Sequence, residues 1–232
     1  FEARGELFNV PVLEGYVLNL TKSSGAFDRL PSWSPDGKSI AYWSDSSGEN
    51  EIYVVSSENP GKAEKISNRD KGFGYNLFWS PNSKKLAFID EKNDISVLDV
   101  KSKKITVAGN TLWHQGHWSR YWYHISWSPD SRWITFTQGV ENSNNAIFIY
   151  DVDKNKSYQI TSGFYHDNYP VFSADGKYLF LLTNRTFSAA YSDMDATWIY
   201  PNATQIASVS LTKDAPSLLY PKNDELKKDD ED

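Results

Sequence analysis

The chain has 232 residues, a formal net charge of -6 at pH 7 and no cysteine. The negative charge, with no basic stripe to offset it, argues against nucleic acid as a partner. The lack of cysteine excludes disulfides and Cys-based zinc sites, and leaves the cellular compartment open. No apolar run approaches the roughly 20 residues that a membrane-spanning helix needs. Aromatic residues make up 15% of the chain, which is typical of a packed sheet protein.

The first residues of the chain predict short β-strands. FEARGELFNVPV and YVLNLTKS have the pattern of the later strands of a four-stranded blade, without the first strand of that blade. We therefore expect a partial blade with an exposed edge at this point.

Four similar segments follow at a regular interval. They are WSPDGKSIAYWSD from Trp33, WSPNSKKLAFID from Trp79, WSPDSRWITFTQ from Trp127 and FSADGKYLFLLTN from Phe172. Their spacing of 46, 48 and 45 residues lies in the range of β-propeller blades and above that of helical or leucine-rich repeats. The period therefore predicts a propeller.

Each repeat predicts the same set of strands. The aromatic residue ends a first strand, and the Ser-Pro-Asp-Gly type segment after it is a turn. The second strand is apolar on both faces, as Ile40 and Tyr42 illustrate, which indicates burial between two neighbouring sheets. The repeated aromatics are predicted to pack between blades. In the last repeat, IASVSL from Ile206 and PSLLY from Pro216 are predicted to be the third and fourth strands.

The predicted fold class is all-β, a β-propeller of four-stranded antiparallel blades, with one partial and four whole blades. The blades are expected over residues 1–22 (partial), 23–67, 68–108, 109–162 and 163–221. Residues 222–232 contain six acids and three lysines and are predicted to be an acidic tail or linker. The open edges of such a segment also predict, as a hypothesis, pairing between chains to form an oligomer.

No catalytic residue is predicted in this chain. The nucleophile signature G-x-S-x-G of many serine hydrolases is absent, and no pair of carboxylates occurs at motif strength. His114 and His117 are three residues apart, but a metal site there would need a helix and further converging ligands. We therefore expect no metal and no cofactor.

Two long insertions interrupt the repeat, at residues 109–124 and 184–204. Because strand direction alternates in a blade, both loops should emerge on the same face of the propeller. Both are rich in Trp, Tyr and Arg, the residues that dominate binding hot spots. The candidate ligand-binding residues are Trp113, Trp118, Arg120, Tyr121, Trp122, Arg185, Tyr191 and Trp198. The alternative is that these loops pack inside the protein or against another domain.

The repeats resemble those of TolB-type propellers and tricorn-type peptidases. The turn W-S-P-D-G-K with the strand I-A-Y-x-S-D carries this resemblance, and the stretches from Ala3, Asp28 and Thr161 are similar to propeller segments of bacterial tricorn-like peptidases. Asn82-Ser83, Asp130-Ser131 and Ala174 depart from the repeat pattern.

The resemblance implies a non-catalytic propeller of a peptidase. In tricorn-like peptidases the propellers precede a PDZ module and a serine peptidase domain, and guide or gate peptides. The expected partners are therefore peptides or other domains of a parent peptidase. The resemblance favours a periplasmic location, with a cytoplasmic location as the alternative. The alternative is a stand-alone TolB-like propeller that binds another protein.

Overall fold

The computed structural model describes residues 1–69, 71–111, 117–186, 190–191, 198–199 and 203–219, with only the backbone at 117, 190, 191, 198 and 199. These residues form five antiparallel sheets that follow one another along the chain, and one separate two-stranded ribbon. The arrangement confirms the predicted all-β architecture. No helix in the described part of the chain is long and apolar enough to cross a membrane.

The first three sheets contain eleven strands. The first sheet contains β1 (Glu2–Ala3), β2 (Glu6–Asn9) and β3 (Leu18–Asn19). The second contains β4 (Arg29–Trp33), β5 (Ser39–Ser44), β6 (Glu51–Ser56) and β7 (Ala63–Lys65). The third contains β8 (Phe78–Trp79), β9 (Lys85–Ile89), β10 (Asp94–Asp99) and β11 (Ile105–Asn110).

A short helix, α1 (His117–Tyr121), precedes the last two sheets. The fourth sheet contains β12 (Ser126–Trp127), β13 (Trp133–Gly139), β14 (Asn145–Asp151) and β15 (Lys156–Gln159). The fifth contains β16 (Asp167–Phe172), β17 (Tyr178–Thr183) and β20 (Gln205–Ser210). The ribbon contains β18 (Ala190–Tyr191) and β19 (Trp198–Ile199).

The fifth sheet has three strands among the described residues, and the predicted strand from Pro216 is not one of them. Residues 216–219 form coil and turn. Pro216 has no N–H to donate to a ladder, and its carbonyl accepts a hydrogen bond from the Tyr178 hydroxyl instead of from a strand. The predicted tail, residues 222–232, lies outside the described residues.

The hydrophobic core lies between sheets rather than inside one layer. Leu7 of the first sheet packs with Ile40 of the second, and Trp43 of the second packs with Phe88 of the third. Corresponding clusters join the third sheet to the fourth and the fourth to the fifth. Strands that are buried on both faces are what stacked propeller blades require.

Two of the repeated tryptophans, Trp79 and Trp127, tie their sheets to the preceding sheet. The indole Nε1–H of Trp79 donates to the Ser32 carbonyl at 2.9 Å, and that of Trp127 donates to the Phe78 carbonyl at 2.9 Å. Both rings are buried, so inter-blade packing of these aromatics is confirmed. Trp33 is 48% exposed, so the prediction of a repeated aromatic buried between blades is wrong at Trp33.

The turns after these aromatics are tied to one another in the same way. The Asp36 N–H donates to the Ser83 hydroxyl at 3.2 Å, and the Asn82 N–H donates to the Ser131 hydroxyl at 3.0 Å. Ser83 and Ser131 occupy a left-handed conformation, with φ of 58° and 62°, which normally favours glycine. The serines that depart from the repeat therefore supply a hydrogen bond between blades.

We expect Ser131→Ala to lower the free energy of unfolding by about 1 kcal/mol, because it removes this hydrogen bond and keeps the left-handed strain. Ser131→Gly also removes the hydroxyl but relieves the strain, so its loss should be smaller. Urea denaturation measures both values. Equal stability of Ser131→Ala and the unmodified protein would contradict a stabilising role for the hydroxyl.

Candidate functional site

The first insertion is held on the third sheet by Arg120 of α1. The buried guanidinium donates from Nε to Asn93 Oδ1 and from Nη2 to the Glu91 carbonyl, both at 2.9 Å. Its Nη1 donates to the Tyr75 hydroxyl at 3.3 Å. Glu91 and Asn93 belong to the turn between β9 and β10, so Arg120 fastens α1 to that turn with its donors directed into the protein.

Two tyrosines of this insertion also face inward. The Tyr121 ring meets Tyr75 edge-on, with centroids 5.1 Å apart, and its backbone carbonyl accepts from Asn76 Nδ2 at 2.6 Å. The buried Tyr123 hydroxyl donates to the Thr137 carbonyl. Burial raises the pKa of Tyr123, so the phenol stays protonated and keeps this hydrogen bond. These contacts fix the path of the chain from α1 into β12.

The tryptophans of the insertion face outward. The side chains of Trp118 and Trp122 are 78% and 77% exposed, whereas Arg120, which lies between them in the sequence, is buried. Trp118 contacts the Tyr121 ring at a centroid distance of 6.2 Å, while Trp122 lines a cleft beside the helix. Trp113 lies outside the described residues. The insertion thus combines an anchored side with an exposed aromatic side.

The second insertion is described in part. Arg185 donates from Nη2 to Asp167 Oδ2 at 3.1 Å and lies over the Tyr165 ring at 5.1 Å. Tyr191 and Trp198 are paired through their backbones in the β18–β19 ribbon, and their side chains lie outside the description. Of the three candidate residues in this insertion, Arg185 is the one with a side-chain contact to the fifth sheet among the described residues.

A cleft of about 550 Å³ lies between the fourth and fifth sheets, next to α1. Its walls come from three separate segments of the chain. The lining residues are Ser119, Trp122, Tyr123, His124, Thr137, Ser143, Asn145, His166, Asn168 and Tyr169. Of the residues predicted from the sequence, Trp122 is the one that lines this cleft.

Hydrogen bonds hold the polar wall of the cleft in place. Asn145 Nδ2 donates to Asn168 Oδ1 at 2.7 Å, and the Asn145 N–H donates to His166 Nδ1 at 3.3 Å. The His166 N–H in turn donates to Asn184 Oδ1 at 2.8 Å. The bond between the two side-chain amides uses one donor of Asn145 and one acceptor site of Asn168, which leaves amide donors and acceptors for a ligand.

Tyr169 enters the cleft from a bulge in β16. Pairing of β16 with β17 shifts between Asn168 and Val171, and Tyr169 has φ of 51° immediately before Pro170. A bulky residue seldom adopts this conformation, which concentrates at functional positions. The Tyr169 side chain is 52% exposed as a result.

The same bulge recurs in the second sheet, where Leu30 has φ of 53° before Pro31. Asp28 and Asp167 occupy equivalent places two residues before these strained positions, and both are buried. The shared D-x-x-P pattern was the sequence signal that could have pointed to Tyr169. Nothing in the repeat distinguished Asn145, because its partner Asn168 is on another blade.

Among the described residues, the lining of the cleft contains no carboxylate, lysine or arginine. Burial lowers the pKa of His124, so its imidazole is neutral at pH 7. The described residues of the cleft therefore offer amides, hydroxyls, imidazoles and aromatic faces to a ligand. No group of three or more metal-binding side chains was found within the described ranges.

Curated relatives match this chain over part of their length. An uncharacterized peptidase, YuxL, of Bacillus subtilis is 26% identical over 157 residues, which is 67% of this chain and 22% of the relative. A putative tricorn-like protease C-terminal subunit of Sulfurisphaera tokodaii is 21% identical over 183 residues, or 79% of this chain and 20% of the relative. The chain thus spans about a fifth of each of these two proteins.

Solved structures show the same fold. A crystal structure of the tricorn protease superimposes with a TM-score of 0.76 at 20% identity and covers 92% of this chain and 20% of that chain. A putative TolB from Agrobacterium tumefaciens superimposes with a TM-score of 0.54 at 20% identity, covering 90% of this chain and 72% of that chain. Both similarities agree with the propeller architecture built from the repeats.

The family described as the tricorn protease second beta propeller domain matches residues 1–232. This match covers every repeat, both insertions and the cleft between the fourth and fifth sheets. The chain therefore belongs to the family of tricorn protease second β-propeller domains.

Proposed function

We propose that this chain is a non-catalytic propeller module of a tricorn-like peptidase, and that it guides peptide substrates or products and contacts other domains of the parent protein. The observation that carries this proposal is the cleft beside α1, whose described lining holds no carboxylate, lysine or arginine and exposes Trp122 and Tyr169. Catalysis would belong to a serine peptidase domain outside this chain.

Family membership supports the peptidase part of the proposal. The chain matches a propeller domain of the tricorn protease, and one relative is a putative tricorn-like protease subunit. Among the described residues, the lining of the cleft consists of amides, hydroxyls, aromatic rings and two imidazoles, His124 and His166, and the amides and rings support a binding role.

The chemistry of the cleft supports a peptide as ligand. Side-chain amides such as Asn145 and Asn168 can donate to a peptide carbonyl and accept from a peptide N–H. Exposed rings such as Trp122 supply contact area at low entropic cost. Because the described lining holds no carboxylate, lysine or arginine, a charged peptide side chain would be desolvated there without an ion-pair partner, a cost that uncharged segments avoid.

Titration calorimetry with short, end-blocked peptides of uncharged side chains tests this proposal. We expect saturable binding to the unmodified chain, and at least about tenfold weaker binding to Trp122→Ala, since truncation of an interface tryptophan commonly costs more than 1.4 kcal/mol. The matched control is Trp118→Ala, because Trp118 is equally exposed but does not line the cleft.

Trp118→Ala should bind within about twofold of the unmodified chain, because the contact it removes lies outside the cleft. Equal loss in both variants would mean that the cleft is not the binding site. If no peptide bound to the correctly folded chain, the peptide-guiding role would be wrong for this segment.

The second candidate function is a stand-alone, TolB-like propeller that binds another protein. The observation that favours it is that this chain corresponds to 72% of a putative TolB chain. The length of the gene product distinguishes the two candidates, since a peptidase domain in the same polypeptide would exclude the stand-alone propeller.

A further inference from the structure

The turns that follow the repeated aromatics are in contact with one another from blade to blade, and one junction lacks its hydrogen bond. Ser83 and Ser131 tie the second sheet to the third and the third to the fourth. At the next junction the equivalent residue is Gly176, with φ of 70°. Glycine has no hydroxyl, and the Asp130 N–H has no hydrogen-bond acceptor among the described residues.

A groove of about 510 Å³ lies at this junction between the fourth and fifth sheets. Its lining residues are Ser128, Pro129, Asp130, Trp133, Ile149, Phe172, Asp175, Gly176, Leu211 and Thr212. Trp133, Ile149 and Phe172 contribute to an apolar surface that a large aliphatic or aromatic side chain would contact.

Two carboxylates flank this apolar surface. Asp130 and Asp175 each use Oδ1 to accept hydrogen bonds from the hydroxyl two residues earlier and the N–H two residues later. The Ser173 hydroxyl, as the largest cause, lowers the pKa of Asp175, which keeps it ionised at neutral pH. Within the described chain, Oδ2 of each aspartate has no hydrogen bond.

The neighbouring arginine is already paired with another acid. Arg132 Nη2 lies 2.9 Å from Asp151 Oδ2, and its guanidinium carbon lies 5.1 Å from the centroid of the Trp133 ring. The rim of the groove therefore combines apolar side chains with two carboxylate oxygens that form no hydrogen bond within the described chain, although Lys177 and Arg132 already act electrostatically on Asp175 and Asp130.

We propose that this groove docks a segment of another protein in which a large apolar side chain is flanked by lysine or arginine. The apolar side chain would contact Ile149 and Phe172, and the basic groups would pair with Asp130 and Asp175. The acidic residues 222–232 and a second copy of this chain, whose net charge is -6, are electrostatically poorer occupants. The proposed peptide cleft beside α1 is a separate site.

The probe is a short fluorescent peptide with a central Lys-Leu-Leu-Lys run, compared with the same peptide carrying Glu in place of Lys. Fluorescence anisotropy should show saturable binding of the Lys peptide to the full chain and no binding of the Glu peptide. Added salt should weaken the Lys peptide's binding, because rim charges are screened. Equal binding of both peptides, or binding of neither, would overturn the proposal.

The blocking variant is Gly176→Ser. A Cβ at Gly176 would lie 3.7 Å from Pro129 Cδ, an ordinary contact, and the new hydroxyl would reach toward the Asp130 N–H as Ser131 does toward Asn82. We expect binding of the Lys peptide to fall at least about tenfold. The matched control is Gly37→Ser, where an added Cβ meets nothing within 4 Å, and binding should be unchanged.

A second pair of variants does not depend on closure of the groove. Asp130→Asn and Asp175→Asn keep the turn, because Asn82 already occupies this position in the third sheet and accepts the same bonds. Each should weaken binding of the Lys peptide severalfold and leave the thermal midpoint of unfolding unchanged.

Binding of the Lys peptide that survives Gly176→Ser in a folded protein would be inconsistent with this groove. Light scattering that shows a dimer lost in Gly176→Ser would instead identify a second copy as the occupant.

Discussion

Trp43→Ala should destabilise this domain by about 3–5 kcal/mol, the range for truncation of a fully buried large aromatic side chain. Trp43 is completely buried on β5. Its Nε1–H donates to the Tyr75 carbonyl at 2.7 Å, and its ring meets Phe88 edge-on with centroids 5.4 Å apart. Both partners belong to the next blade, so the substitution leaves a cavity between sheets and an unsatisfied buried carbonyl.

The matched control for this prediction is Trp33→Ala. Trp33 has the same side chain on the neighbouring strand of the same sheet, but it is 48% exposed. We expect a loss below about 1.5 kcal/mol, because less apolar surface returns to water. Chemical denaturation measures both variants. Equal losses would show that the contacts of Trp43 with the third sheet contribute little.

Gly74 lies directly against the Trp43 ring and leaves no room for a side chain of its own. A Cβ added at Gly74 would lie 1.9 Å from the Trp43 ring, which is far inside van der Waals contact. The chain between the second and third sheets must therefore pass the tryptophan without a side chain. The close packing of the two sheets depends on this pair of residues.

The propeller could be predicted from the sequence because each blade repeats the same turn and the same doubly buried strand. The period, the turns and the packing of Trp79 and Trp127 all follow from that repetition. Trp43 could not be recognised in this way, since the equivalent residues ten positions after each repeated aromatic are Ile89, Thr137 and Leu182. A contact that occurs once leaves no periodic signal.

Less of the candidate cleft than of the fold could be predicted from the sequence. Trp122 was chosen from the composition of its loop, but Asn145, His166 and Tyr169 come from other strands and turns. Their proximity depends on how the fourth and fifth sheets pack, which no local pattern encodes. Composition also could not separate the inward-facing Arg120 and Tyr121 from the outward-facing Trp118 and Trp122. All four belong to the same five-residue stretch, 118–122.

The anchoring role of Arg120 leads to the second large effect. Arg120→Met keeps an unbranched apolar stem but removes the bonds to Asn93, Glu91 and Tyr75. Because hydrogen bonds to charged groups contribute about 1.5–3 kcal/mol each and the acceptors are left partly buried, we expect an overall loss of about 2–4 kcal/mol. Denaturant unfolding measures this loss.

Lys103→Met is the control for the removal of a cation. Lys103 forms an ion pair with Glu64 at 2.7 Å, with both side chains largely in solvent, so its loss should be below about 1 kcal/mol. Hydrogen exchange adds a local measurement, since release of α1 should raise exchange at the Tyr123 N–H, which donates to the Arg120 carbonyl at 3.2 Å. If Arg120→Met behaved like Lys103→Met in both measurements, α1 would be held by its aromatic contacts alone. If it loosened α1, peptide binding at Trp122 should weaken as well, because Trp122 follows directly on the helix that Arg120 fixes.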